Sequence, residues 1–496
     1  MSSVRNGLLG ALAALGITGG LFATGVVRLG SPESETAPTA EEQQEGGRRR
    51  GRNKGDNLRS LAYLGEIPLT DETRKKSGVQ RHEAEASDRY VLANPVGGGR
   101  RRGKSIREAT LWDAQGKQLH SWSSDSPSEK QAWAIARLDR DGYLYVIVNS
   151  TALVKLDWNS NVVWVVQGHF HHDFTIAQDG TIAALIGRKR VIELPPGASP
   201  HGRSRAQILD HGVAFIDPAG NPTGQVWMYD VMSNTPAFHR TLRRGLRATG
   251  NAAVIEDEDA GEARGAARVA GRRHRPLDVF HANSILMLPR EVPGLGNAGD
   301  LLISLRNMNT VASFDRDTQT PGWVWGQSEL LRQHDSTLTP EGHVVLFDNR
   351  NEADNSRAVI VDPISSTIVR TIGGPGNQGP LRFFSSGRGL AQALPNGNVM
   401  VVVSNEGRAL EVAKDDQIVW EFWSPWMGEG TRKPIRASRL DEDVQDTLAS
   451  IVHGERPPPV VSARSPKSVR LEIVRPAHPP GLSPTGHATP VPPRPQ

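Results

Sequence analysis

The sequence predicts an all-β fold: a six-bladed β-propeller, flanked by an N-terminal membrane-anchor or signal helix and by disordered tails. Three observations carry this expectation. First, five segments share one pattern, an apolar strand, a tight turn ending in Gly and a second apolar strand, with the turn glycines at Gly142, Gly180, Gly299, Gly342 and Gly397. Asp-Gly, Glu-Gly and Asn-Gly pairs mark hairpins, because glycine accepts the positive φ that such turns need. Second, each copy continues into a third and a fourth strand, as in Ala152–Asp157 before Val162–Val166 or Ala409–Val412 before Ile418–Phe422. A Trp recurs in the fourth strand (Trp164, Trp227, Trp325, Trp420), where it suits packing between blades. Third, four antiparallel strands per unit, repeating at about 40 residues plus insertions, are the signature of propeller blades.

Composition agrees. The chain has 496 residues with 51 Gly, 34 Pro and 37% hydrophobic residues, as many short strands joined by turns would give. It has 0 Cys, which excludes disulfides, thiolate nucleophiles and Cys–metal sites. A closed sheet of this size holds itself by packing alone. With 58 basic against 54 acidic residues, the net charge of +4 is too balanced to argue for nucleic acid. The Arg runs 48–50, 100–102 and 272–273 fall in flexible segments and read as solvated loop charge, with contact to anionic lipid or polymer as the alternative.

The elements follow in chain order. The uncharged run Gly7–Val27 is long enough to cross a bilayer, so residues 1–30 read as a signal anchor or a cleaved signal peptide. Either places the body of the protein in the periplasm or another extracytoplasmic space, with the membrane as a partner through this helix. Residues 31–87 are polar and Gly-rich and read as a linker, with one short helix near Leu58–Leu64. The propeller is expected over 88–455. It opens with an incomplete blade (Tyr90–Asn94, Arg107–Asp113, Lys117–Trp122), whose missing strand would come from the C-terminal region, Val469–Val474 being the candidate. An insertion over 239–276 reads as a surface loop or lid. Arg436–Val452 has helical spacing (Leu440, Val444, Leu448, Val452) and would cap the propeller. Residues 456–496 form a Pro-rich tail.

Candidate functional residues come from the repeat register. His172 and His334 each lie eight residues before their turn glycine, and His281 holds the corresponding place before Gly299, with a short insertion between. The equivalent positions in the other two copies are Ala134 and Gly389. Seven residues after each turn glycine comes a second set, Asn149, Gly187, Arg306, Asn349 and Ser404, all polar or small. The start of an inner propeller strand faces the channel mouth, so three imidazoles and one guanidinium are expected to converge there. Neutral His with His and Arg, and no carboxylate pair or thiol, suits transfer of a charged oxyanion group. One imidazole attacks sulfur or phosphorus, Arg and a second His stabilise the oxygens, and a protonated His donates to a departing phenoxide.

Several segments resemble the bacterial arylsulfate sulfotransferases: Asp278–Ser284, Ser304–Arg306, Gln333–Ser336 with Gly342–Asn349, and Glu108–Trp122. The resemblance covers most of Arg89–Val452. It implies a six-bladed propeller that moves a sulfuryl group from an aryl sulfate donor to a phenolic acceptor by ping-pong exchange, without a nucleotide sulfate donor (PAPS) or other cofactor. It also implies that His334 is the nucleophile, transiently sulfated. His281, Asn283 and Arg306 would bind sulfuryl oxygens, His172 would be a further active-site histidine, and Asn349 would be a further substrate-binding residue. The chain departs from the enteric members in having no disulfide and only 5 Tyr. Two other readings of the same residues stay open. One is iron or zinc on three imidazoles, oriented by Asp173 and Asp335. The other is a non-catalytic, membrane-anchored propeller that presents a binding face.

Overall fold

Among the described residues the strands form six sheets, one per blade. From the axis outward, blade 2 is Trp133–Leu138, Leu144–Val148, Ala152–Leu156 and Val162–Gln167. Blade 3 is Phe170–Ile176, Ile182–Glu193, Arg205–Ile216 and Pro222–Trp227. Blade 4 is Ala282–Met287, Leu301–Leu305, Thr310–Phe314 and Pro321–Trp325. Blade 5 is His334–Leu338, Val344–Asp348, Arg357–Asp362 and Thr367–Gly373, and blade 6 is Leu390–Ala393, Val399–Val403, Arg408–Val412 and Ile418–Trp423. The computed structural model describes residues 70–96, 106–194, 204–248, 254–255, 276–350, 355–428, 431–461 and 466–473. The chain divides into two compact units, Met1–Asn53 and Lys54–Gln496, and all of these residues belong to the second. The expected anchor and the short helix near Leu58–Leu64 lie outside the described residues. No described helix is long and apolar enough to cross a membrane.

The repeat reading of the turns matches the structure. All five turn glycines take positive φ. Gly180, for example, has φ +82 and its N–H bonds the carbonyl of Ala177 at 2.9 Å. The second strands behind these turns are buried on both faces, as strands inside a stack of sheets must be. The recurring Trp stitches neighbouring blades. Trp164 donates to the Pro218 carbonyl in the next blade, Trp325 to Ser366 and Trp420 to Ala114.

Blade 1 closes the ring. It consists of Ile435–Arg439, Val91–Pro95, Glu108–Trp112 and Gln118–Ser123, so its inner strand comes from the C-terminal region. That strand is not Val469–Val474. The nearby strand Lys467–Arg470 instead pairs in parallel with Val162–Gln167, on the outer edge of blade 2. Burial explains the difference. An inner strand is covered on both faces, and Ile435, Arg436, Ala437 and Arg439 are buried, whereas Lys467, Ser468 and Arg470 are exposed. The expected helix over Arg436–Val452 therefore splits into this strand and a helix, Glu442–Val452. Leu440, Val444, Leu448 and Ile451 pack against Trp122, Trp133 and Leu144, covering the seam between blades 1 and 2.

Order also extends into segments read as linker and tail. Gly78–His82 adds a fifth, antiparallel strand to the edge of blade 6, and Lys467–Arg470 adds a fifth, parallel strand to blade 2. Both are polar and largely exposed, so their composition resembles a tether. The insertion read as a loop over 239–276 is entered by a helix, Pro236–Ala248, that buries Phe238, Leu242 and Leu246 between blades 3 and 4.

Candidate active site

The inner strands of blades 2, 3, 4 and 5 all lose register with their second strands near the mouth, while those of blades 1 and 6 stay in register. An extra residue in one strand re-aims the side chains beside it. Here it does so at the histidines. His172 (φ +57), His281 (φ +47) and Asp335 (φ +54) all take left-handed backbone, which costs a residue with a Cβ on the order of 1 kcal/mol. Strained backbone collected at one mouth marks a site whose side-chain directions matter more than local stability.

The structure brings His172 and His281 into contact, with ring centroids 4.9 Å apart. His171, next in the chain, bonds His172 nitrogen to nitrogen at 3.0 Å and also packs on His211, 4.6 Å away. His281 Nδ1 bonds Asp278 Oδ2 at 2.5 Å, and Asp278 Oδ1 takes the His281 backbone N–H at 3.0 Å. His211 accepts the Ala282 N–H at Nδ1 (3.0 Å), which leaves its Nε2 proton facing Asp278 Oδ1 at 3.4 Å. Burial works against a charge on Asp278, but His281 and His211 hold its pKa well below the ordinary carboxylate value. Burial pushes His172 and His171 well below the usual imidazole value, and neighbouring imidazoles push them further. Burial also lowers His281, with the Asp278 charge opposing that shift.

His334 is buried and held in one tautomer. Its Nδ1 meets two acceptors, Asn349 Oδ1 at 2.6 Å and the Arg332 carbonyl at 3.2 Å, so Nδ1 carries the proton. Asn349 cannot turn its amide round, because its Nδ2 donates to the carbonyls of Ser385 (2.7 Å) and Arg388 (2.6 Å). The His334 Nε2 lone pair accepts the Arg388 backbone N–H at 3.1 Å. Burial and the nearby charge of Arg306 keep the His334 pKa well below its usual value. The residue is thus a neutral imidazole with a fixed lone pair.

Arg306 follows His281 across the blade, its backbone N–H bonding the His281 carbonyl at 3.2 Å. Its Nη1 and the Arg332 Nη1 both donate to Asn307 Oδ1 (3.1 and 2.6 Å). Asn283 is fully buried. Its Nδ2 donates to the Gln333 carbonyl at 2.9 Å, fastening blade 4 to the residue before His334. The second set of positions behaves unevenly. Arg306, Asn349 and Ser404 are buried at the mouth and Asn149 is exposed. Gly187 is small because a Cβ there would meet the His169 ring at 3.0 Å.

Below the imidazoles lies an ionic layer. Asp173 accepts from Arg137 Nη2 at 2.8 Å and from the Ile285 N–H at 3.1 Å. Asp335 has a buried, unpartnered Oδ2, and burial with the Asp173 charge pushes its pKa up to about 7. Four contributors were not singled out from the sequence: His211, the Asp278 carboxylate, the Arg388 amide and Arg436. Asp278 stood within the recognised motif, three residues before His281. His211 lies beyond the usual blade length, on a 12-residue strand opposite Gly187. The Arg388 N–H has no side-chain signature. Arg436 was assigned to a helix, although it lies on the inner strand of blade 1. Among the described residues no group of three or more His, Asp or Glu side chains is arranged to hold a metal ion.

Solved structures similar to the chain include a protein of unknown function from Bacteroides caccae, at 9% identity, covering 71% of this chain and 100% of that one (TM-score 0.43). Virginiamycin B lyase from Staphylococcus aureus is similar at 8% identity, covering 76% and 98% (TM-score 0.36). Kuenenia stuttgartiensis hydrazine synthase is similar at 10% identity, covering 57% and 64% (TM-score 0.31). No curated protein matches. The sequence pattern of the family described as arylsulfotransferase (ASST) matches residues 141–425, a span that runs from the first turn of blade 2 through the last strand of blade 6 and holds His172, His281, Asn283, Arg306, His334 and Asn349. More than half of the chain is covered, and the chain belongs to the arylsulfotransferase family.

Proposed function

We propose that this protein transfers the sulfuryl group of an aryl sulfate to a phenolic acceptor through a covalent intermediate on His334. The observation that carries this reading is the state of that ring. It is buried and neutral, its Nδ1 proton is held by Asn349, and its Nε2 lone pair faces a backbone amide instead of an acceptor. Sulfur would take the place of the Arg388 N–H. The Nε2 pair forms the N–S bond, the S–O bond to the aryl group breaks, and that electron pair leaves on the phenoxide. Nδ1 keeps its proton, so the sulfated ring is an imidazolium beside its own anionic group. Arg306 and the second Nδ2 hydrogen of Asn283 face the charge that builds on the sulfuryl oxygens.

The proton for the phenoxide comes from His281. The Asp278 carboxylate at its Nδ1 stabilises the imidazolium and fixes which nitrogen faces the site, as in other carboxylate–imidazole pairs. In the second half-reaction His281 takes a proton from the acceptor phenol, whose oxygen attacks sulfur and frees His334. Protons therefore balance over the full cycle.

The test is brief mixing of the full chain with 4-nitrophenyl sulfate, followed by acid-free digestion and mass spectrometry. The expected result is an added sulfuryl group on the peptide bearing His334, lost on addition of phenol. A folded His334→Asn variant should release no 4-nitrophenol in the first half-reaction and form no phenyl sulfate in the second. Transfer by that variant at the wild-type rate would end the proposal.

A further inference from the structure

Blade 1 carries a buried guanidinium whose Nε and Nη1 the fold leaves without a hydrogen bond. Arg436 is 5% exposed, and neither its Nε nor its Nη1 has a hydrogen-bond partner. The two other buried arginines of the same segment differ. Arg439 donates to Glu411 at 2.9 Å and stacks on Trp420, and Arg432 donates to the carbonyls of Thr73 and Lys76. A buried cation is kept against a desolvation cost of several kcal/mol. The Asp335 carboxyl feels its charge, but Nε and Nη1 stay unbonded, and two unused buried donors point to an acceptor partner that arrives from outside.

The position of Arg436 identifies that partner. It is on the inner strand, in register with Asn94, whose side chain accepts the Ala136 N–H of the blade 2 inner strand at 3.3 Å. In a ring of six, blade 1 stands opposite blade 4, which bears His281 and Arg306. The Arg436 charge bears on His172 of blade 3 and on His334 and Asp335 of blade 5. The groups that feel its charge are thus two imidazoles and the Asp335 carboxyl. The compact, charged end of an aryl sulfate would rest among them in the proposed reaction.

We infer that Arg436 binds the oxygens of a tetrahedral sulfate-class anion from the side opposite Arg306, and so completes the cage in which the sulfuryl group is transferred. The catalytic part of this inference rests on the proposed transfer reaction, and the anion-binding part does not. Two guanidinium groups on opposite walls hold three equatorial oxygens against drift along the channel, which a single arginine cannot do.

The experiment compares the full-length chain with its Arg436→Met and Arg436→Lys variants in three measurements: calorimetric binding of inorganic sulfate, turnover of 4-nitrophenyl sulfate with phenol, and thermal unfolding. Arg436→Met is expected to weaken sulfate binding by about tenfold or more and to lower kcat/KM by about a hundredfold, as loss of one oxyanion donor does. Its Tm should hold or rise, because an uncompensated buried charge has gone. Arg436→Lys should restore part of both functions. Unchanged sulfate affinity and turnover in Arg436→Met would overturn the inference. A steep fall in Tm in both variants would do so as well, since it would assign the residue to the fold. If the wild type binds sulfate through Arg436 but transfers nothing, the anion site stands and the transferase reading falls. If transfer proceeds and ignores Arg436, the reverse holds.

Discussion

At the scale of single residues, the chemistry depends on where protons rest. Burial keeps His334 neutral to well below its usual pKa, so its nucleophilicity does not fail on the acid side near neutrality. In the proposed mechanism His281 has the opposite duty, since it must carry a proton when the donor departs, and burial lowers its pKa despite Asp278. The protonated fraction of His281 therefore shrinks as pH rises above that lowered value. Phenyl sulfate, whose leaving group has a conjugate acid of pKa about 10, needs the proton, and 4-nitrophenyl sulfate does not. The ratio of kcat/KM for the nitrophenyl donor over the phenyl donor should widen by about tenfold per pH unit across the alkaline limb. A pH–rate series on the two donors from pH 5 to 9 measures it, and a ratio that stays flat removes His281 from the role of acid. The residues that name the family were legible because they repeat. His172 and His334 share one offset from their turn glycines. His211 and the Arg388 amide were not legible, because neither has a counterpart in another copy.

At the scale of elements, the site is built by departures from regular pairing. Register shifts at the starts of four inner strands turn the mouth residues inward, while the in-register strand of blade 6 supplies a backbone amide. Gly389 makes that possible. It has φ +128, and a Cβ there would lie 2.2 Å from the Phe347 ring. Gly389→Ala should therefore lose roughly 3 kcal/mol of stability from steric and backbone strain together. It should also displace the neighbouring Arg388 N–H from His334 and reduce transfer. Gly387→Ala is the control, because nothing lies within 4 Å of the added Cβ. Denaturant titration and turnover of both variants check this, and equal behaviour of the two would remove the structural role assigned to Gly389. The strand pattern and its turns were readable from repeated apolar runs and the Gly that ends each turn. The two edge strands, Gly78–His82 and Lys467–Arg470, were not, since an exposed edge strand has the composition of a linker.

At the scale of the whole molecule, the ring is closed by pairing the two ends of the propeller. Val91–Pro95 pairs along its full length with Ile435–Arg439. Ending the chain at Pro434 would leave the buried inner edge of Val91–Pro95 without partners and would expose Trp122 and Trp133 by removing the Glu442–Val452 helix. Such a chain should show no cooperative unfolding transition. A chain ending at Val461 loses the outer strand of blade 2, the Leu471 contact with Phe170 and the bonds of Lys467 and Glu472 to blade 3, and should unfold cooperatively at a somewhat lower temperature. Circular dichroism melts of the two truncations distinguish them. A cooperative melt of the shorter chain would show that the ring does not depend on its closing strand.

The sequence by itself determined the blade count, the turns, the shared offset of the histidines and the family. All of these follow from local rules: apolar runs that repeat, the φ a turn demands, and motifs carried within one copy of the repeat. Tertiary structure alone decided which strand closes blade 1, and with it that Arg436 lies buried on an inner strand instead of on a helix. It also decided the His334 tautomer, which depends on carbonyls of Arg332, Ser385 and Arg388 brought together from two blades. The reason is physical. Charges and hydrogen bonds act across a few ångströms of space, and residues that share that space here, such as Asp173 and Ile285, are more than a hundred positions apart along the chain.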